Sequence, residues 1–211
     1  MIRFATDDDR NRIIDQWIAS FGDSMENVEL FLEYFPCQKA LCYYLDGEIV
    51  SFMFLPELEI CFDNANYRAN YIYALCTDEK FRSRGYGGAL IEFSKEYSAE
   101  NGIPYTLIRP SSDSLFLYYS GKGFESEYRR IKKNLTIDSN LLYNNLDKDP
   151  TNVALARWGN DGLSYASACG IDDTDYLPCG DVEKSERYIM LRRNSDGAKL
   201  FDNVYMGLTF E

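Results

Sequence analysis

A chain of 211 residues, 45% of them hydrophobic, has the material for one full domain plus an extension or for two small domains, and a formal charge of −12 argues against nonspecific nucleic-acid binding while leaving room for a cationic partner. The absence of any histidine excludes Ser-His-Asp and Cys-His chemistry, so proton transfer falls to Asp, Glu, Tyr, Lys, Cys or water. No apolar run reaches membrane-spanning length, Met1 to Phe4 leads into acidic residues instead of a signal-peptide core, and six scattered cysteines show no metal or disulfide spacing; a cytoplasmic protein with reduced thiols, no membrane segment and no metal is expected.

Thr6 and Asp9 form a capping box, and Ile13, Ile14, Trp17, Ile18 and Phe21 then recur at helical spacing before Gly22, a fitting stop. Ser24 opens a second helix with Val28, Phe31, Leu32 and Phe35 on one side, ending before Pro36. Apolar runs at 40–45 and 49–55 flank Asp46-Gly47, a hairpin signal, and a further strand is expected at 57–62. Residues 70–77, "NYIYALCT", read as a buried strand. A helix follows to about Glu100, with Leu90, Phe93 and Tyr97 on one side and Gly102 as its stop. A short strand is expected from Tyr105 to Arg109, a helix capped by Ser114 and running through Tyr119, and a charged strand near 127–137. The order predicts an α/β sandwich whose middle strands are parallel. After residue 138 polar turns separate short apolar runs at 163–169, 187–191 and 204–210, which suggests a small C-terminal subdomain, 139–211, appended to a first domain at 1–138.

Between the buried strand and its helix lies "FRSRGYGG", with two arginines and three glycines in the seven positions 82–88. It is not a P-loop, because no Gly-Lys-Ser/Thr is present, and the third glycine of the dinucleotide fingerprint would fall at Leu90. The alternative to a ligand loop is a tight strand-to-helix connection with solvated arginines. Orphan amides and the positive end of a helix dipole nevertheless suit a pyrophosphate there. Lys80, Arg82 and Arg84 make a positive spot on an acidic chain.

"ALCTDEKFRSRGYGG" resembles the acetyl-coenzyme A signature of the GNAT (Gcn5-related) N-acetyltransferases, and "SSDSLFLYYSGKGFES" is similar to the family's later segment ending Tyr-x-x-x-Gly-Phe, here Tyr119 and Gly123-Phe124. The resemblance covers roughly residues 1 to 137 and implies a GNAT-type mixed sheet with flanking helices, plus the small C-terminal α/β extension. Tyr71-Ile72-Tyr73-Ala74 and Ser114-Leu115-Phe116 look closest to the branch of enhanced-intracellular-survival type. The resemblance further implies acetyl transfer from acetyl-coenzyme A to an amine of a small or protein substrate. Leu75, Cys76 and Thr77 would pair with the pantetheine arm, the segment Arg82, Ser83, Arg84, Gly85, Tyr86, Gly87 and Gly88 would hold the pyrophosphate, and Ser114 and Leu115 would lie beside the thiol.

Tyr119 is the expected acid for the leaving thiolate, with Tyr118 pointing elsewhere on the helix. The base stays open among Glu57, Glu59, Asp63, water and the terminal residue Glu211, whose carboxylate reaches the active centre in the related branch. Cys76 reads as core packing in preference to an acyl carrier, since no histidine activates it. An acyl-coenzyme A-binding interaction module without turnover is the alternative function.

Overall fold

The computed structural model describes residues 1–132, 153–171, 176–178 and 186–206. Helix α1 (Arg10–Phe21) buries Ile13, Ile14 and Trp17, and Gly22 ends it at φ 76° by donating its N–H to Ile18 O at 2.9 Å. Thr6 N–H donates to Asp9 Oδ2 at 2.8 Å, but the turn capped in this way is a short 3-10 turn, Asp7–Asp9, that continues into α1. Ser24 caps α2 (Met25–Tyr34) by accepting Asn27 N–H at 3.2 Å.

Strands β1 (Ile2–Phe4), β2 (Ala40–Leu45) and β3 (Glu48–Phe54) are antiparallel, and Asp46 and Gly47 make the β2–β3 turn with positive φ at both positions. A second hairpin joins β4 (Glu57–Phe62) to β5 (Ala65–Thr77) through Asp63 and Asn64, also at positive φ. Strand β5 starts five residues before the expected 70, because its first half is half-exposed and carries Asn66 and Arg68 outward. Helix α3 (Tyr86–Glu100) crosses over to β6 (Tyr105–Ile108), which runs parallel to β5.

Past α4 (Asp113–Ser120), strand β7 (Ser126–Lys132) does not join β6. Strand β10 (Glu186–Arg193) lies between them, antiparallel to both. The segment before it holds β8 (Val153–Trp158), α5 (Asn160–Ala168) and β9 (Tyr176–Pro178), and β11 (Asn203–Tyr205) follows it. Among the described residues the sheet order is β1-β2-β3-β5-β6-β10-β7-β9; β4 pairs with both β5 and β8, and β11 lies parallel to β8. The 163–169 run is helical, and a side chain at Gly162 would stand 2.8 Å from Trp158 Cβ, closer than carbons pack.

Strand alternation divides the core between the two faces. Phe52 and Phe54 pack with Trp17, Phe31 and Tyr165 under α1, α2 and α5, whereas Met53 and Leu55 pack with Leu90, Ile91, Phe116 and Met190 under α3 and α4. Arg192 of β10 ties the second layer together by donating to Ile91 O and Ser94 Oγ, each at 3.0 Å, and its burial pulls the guanidinium down to about 10. The later part of the chain therefore holds α3, and with it the loop before α3, in place.

Candidate active site

The ladder on β5 breaks where the chemistry is expected. Phe52 pairs with Cys76 but Phe54 with Tyr73, so an extra residue is inserted, and Ala74 takes φ 50°. On the other edge the parallel pairing with β6 stops at Ile72 and Ile108. Beyond it β5 and β6 separate, and among the described residues no strand takes the freed edge of Tyr73 to Thr77. A cleft of about 1010 Å³ opens there. Tyr71 to Leu75 form one wall, Ile108 to Asp113 with Leu115, Phe116 and Tyr119 another, and Trp17, Phe21 and Asp23 close one end.

The structure brings Leu75, Leu115 and Tyr119 to this cleft. Cys76 faces the α1 layer, where Gln16 Nε2 lies 3.7 Å from its sulfur and burial pushes the thiol up to about 11, leaving it protonated and unsuited to attack. Thr77 Oγ1 is 2.9 Å from Ser51 Oγ, which in turn donates to Cys76 O at 2.7 Å. Helix α4 begins at Asp113 with Ser112 at its cap position; Ser114 is exposed in the first turn, 3.0 Å from the Ser112 hydroxyl. Glu211 lies outside the described residues.

The loop before α3 is a short turn with two residues at positive φ. Asp78 caps the turn at Glu79–Phe81 by accepting Lys80 N–H at 3.1 Å, and its other oxygen meets Arg12 at 2.6 Å. The Arg12 hydrogen bond holds this carboxyl below its usual range. Ser83 and Gly85 both adopt positive φ (62° and 85°), and Gly85 occupies the cap position of α3 with no side chain to cap the first turn. Those amides are left for an outside acceptor. Arg82 spends its Nε on Thr77 O at 3.2 Å, Arg84 stacks on Phe81, and Tyr86 packs against Tyr43.

The glycines differ in purpose. A Cβ at Gly87 would meet Thr77 Oγ1 at 3.4 Å and Leu75 Cδ1 at 3.9 Å, so the absence of a side chain at Gly87 lets α3 approach the sheet. A Cβ at Gly88 would point at Lys122 Nζ (3.2 Å) and the Tyr118 hydroxyl (3.5 Å) in the groove between α3 and α4. Lys122 was not singled out from the sequence, and only the α3–α4 packing brings its charge beside the loop.

Tyr119 is 6% exposed, packs edge-on against Phe124, and lines the cleft; burial raises its pKa well above the usual phenol value, so the proton stays on. Tyr118 is exposed and lies on the loop side of the helix. None of the three early acids reaches the cleft: Glu57 pairs with Arg68 at 3.2 Å, Glu59 accepts from Asn66, and Asp63 sits in the β4–β5 turn. The cleft instead holds charges that spacing did not reveal. Glu186 meets Arg130 at 2.5 Å, Arg187 grips Glu127 through two bonds of 2.7 and 2.9 Å, and Arg109 has its pKa lowered by burial and by Arg130. Among the described residues no three His, Cys, Asp or Glu side chains gather as metal ligands would, and no helix is long and apolar enough to cross a membrane.

A family model described as an acetyltransferase (GNAT) domain matches residues 1–126. The chain belongs to the GNAT acetyltransferase family. No curated protein sequence matches it. Among solved structures, this GNAT chain is similar to the GNAT family N-acetyltransferase YhbS from Escherichia coli in complex with CoA, at 13% identity and a TM-score of 0.57 over 99% of this chain and 89% of that one. It is also similar to a GCN5-related N-acetyltransferase from Anabaena variabilis, at 10% identity and a TM-score of 0.57 over 92% and 73% of the two chains. Eis1 from Mycobacterium abscessus matches at 11% identity and a TM-score of 0.54 over 92% and 74%. At these identities the likeness is one of fold. As a GNAT protein, the chain has acyl transfer as its general chemistry.

Proposed function

We propose that the chain moves an acetyl group from acetyl-coenzyme A to the amine of a small or protein substrate. The observation that carries this is the separation of β5 from β6 at Ile72 and Ile108, which opens a cleft lined by Tyr119 beside the α3 start whose first turn no side chain caps. Acetyl-coenzyme A supplies an acyl group activated as a thioester. The freed edge of Leu75 to Thr77 takes the pantetheine arm as a further strand, and the amides from Ser83 to Gly88 take the pyrophosphate. Lys122 adds a positive charge on the groove side of the loop. Leu115 and Phe116 exclude water from the reacting end.

An amide of Leu75 or Cys76 donates to the acyl oxygen, and Tyr119 returns a proton to the leaving sulfur. Positioning supplies the larger share of the acceleration, up to about 7–11 kcal/mol for well-oriented groups. The acidic chain favours a cationic acceptor over nucleic acid. Cys37, Cys42, Cys76 and Cys169 are free thiols, which supports a cytoplasmic setting. We assign the cofactor-binding chemistry to 1–138 and treat 139–211 as the extension that supplies β10. The narrower kinship with the enhanced-intracellular-survival branch rests on residues 71–74 and 114–116. A thiol-release assay with acetyl-coenzyme A across a panel of primary amines tests the proposal. Amine-dependent release supports it; binding of the thioester with no release for any amine would leave an acyl-coenzyme A-binding module instead.

A further inference from the structure

Among the described residues three carboxylates line the cleft, and two are already engaged: Glu186 with Arg130 at 2.5 Å and Asp113 with Arg187 at 3.7 Å. The third is Asp23, which pairs with no cation among the described residues. The left-handed stop at Gly22 turns the chain at the end of α1 and leaves Asp23 at the cleft's end. Trp17 Nε1 donates to its Oδ2 at 2.6 Å and fixes the carboxylate. Asp23 is not used as a helix cap, because Ser24 performs that task for α2. Asp23 is exposed, and the rings beside it meet edge-on: Trp17 lies 6.0 Å from Phe21 and 5.8 Å from Tyr73, and both neighbours line the same cleft. Phe21 exposes about half its surface at this end of the cleft.

A carboxylate at the end of a cleft lined by Trp17, Phe21 and Tyr73 attracts an ammonium group through its charge, and the rings give the amine's carbon chain an apolar surface. We propose that Asp23 receives the acceptor amine in its protonated form, so that the acceptors are alkylamines that are cationic at neutral pH and not weakly basic aryl amines. This rests on the transferase function proposed above and names the acceptor class of that same cleft. Asp23 acts in recognition. The ammonium first gives one proton to water; its nitrogen then bonds to the acyl carbon as the carbon–sulfur bond breaks, the nitrogen releases its second proton to water, and the sulfur takes a proton from Tyr119, which recovers it from solvent.

The test is fluorescence titration of the full chain with benzylamine and, separately, with benzyl alcohol, in the wild type and in Asp23→Asn. The asparagine keeps an oxygen for the Trp17 N–H, and a thermal melt checks that the fold is retained. The wild type is expected to bind benzylamine roughly 3-fold more tightly than benzyl alcohol, and Asp23→Asn to bind the two alike. No preference in the wild type, no binding of either probe, or the same preference in the variant overturns the inference. If Asp23→Asn does not fold, Asp23→Ser, which also keeps an oxygen near the Trp17 N–H, is read in its place. Thiol release and probe binding also separate the two proposals. If no amine is acetylated while benzylamine still binds through Asp23, the transferase function fails alone; normal turnover with unchanged amine preference in Asp23→Asn removes Asp23 alone.

Discussion

Replacing Gly87 separates a packing role from a ligand role. An alanine methyl at this position would sit 3.4 Å from Thr77 Oγ1, 3.9 Å from Leu75 Cδ1 and 4.0 Å from Ser51 Oγ, all ordinary contacts. Alanine also gains about 1 kcal/mol over glycine inside a helix, so Gly87→Ala should raise the melting temperature by roughly 2–4 °C and leave coenzyme A affinity within about threefold. Valine adds two further methyl groups in a space with no slack. Its γ carbons must push Thr77 and Leu75, at a cost of about 1–3 kcal/mol. Because Leu75 lines the cleft, the displaced side chain intrudes on the acyl end as well. Gly87→Val should therefore lower the melting temperature and weaken coenzyme A binding by at least about 10-fold. Calorimetric titration beside thermal melts reads both quantities. If Gly87→Ala loses as much affinity as Gly87→Val with no loss of stability, the side chain at 87 meets the ligand and the packing role assigned here is refuted.

Tyr119→Phe should reduce turnover about 10²–10⁴-fold with coenzyme A affinity nearly unchanged, whereas Tyr118→Phe should cost little turnover; equal losses would point to packing. Asp78 has its carboxyl held low by Arg12, so the stability it contributes is present above its unfolded value, near 3.8, and disappears as the pH falls through the lower folded value. Both partners are partly exposed and screened, which limits the effect to about 1 kcal/mol. Denaturant midpoints of wild type and Asp78→Asn should differ at pH 6 and converge toward pH 3; a constant gap would show that the pair does not titrate with folding.

Local signals in the sequence were legible because their causes are local. Gly22, Asp46-Gly47 and Gly102 carry the positive φ values that their positions demand, and the Arg-Gly loop opens α3 as its composition indicates. The cleft's shape was legible only through resemblance. Its opening depends on the left-handed Ala74 within β5, and alanine carries no turn signal. The insertion of β10 between β6 and β7 joins residues from 56 to 88 positions apart, and its apolar run at 187–191 gives no hint of its neighbours. Charges followed the same rule. Glu57 and Glu59 lie near the central strand in sequence yet point to solvent, while Asp23 reaches the cleft only because Gly22 turns the chain after α1. The purpose of a glycine was also hidden: Gly85 serves a left-handed cap, Gly87 the approach of α3 to the sheet, and the motif spacing is silent on which is which.

The most direct test follows the acyl group itself. The purified chain is incubated with acetyl-coenzyme A carrying a carbon-13 acetyl group and with one alkylamine, and free thiol and labelled products are measured together. The account predicts a labelled N-acetyl amide formed one for one with free coenzyme A, dependent on the amine and nearly lost in Tyr119→Phe. Tight binding of the thioester with the label remaining on coenzyme A, or recovered as free acetate regardless of the amine, would contradict it.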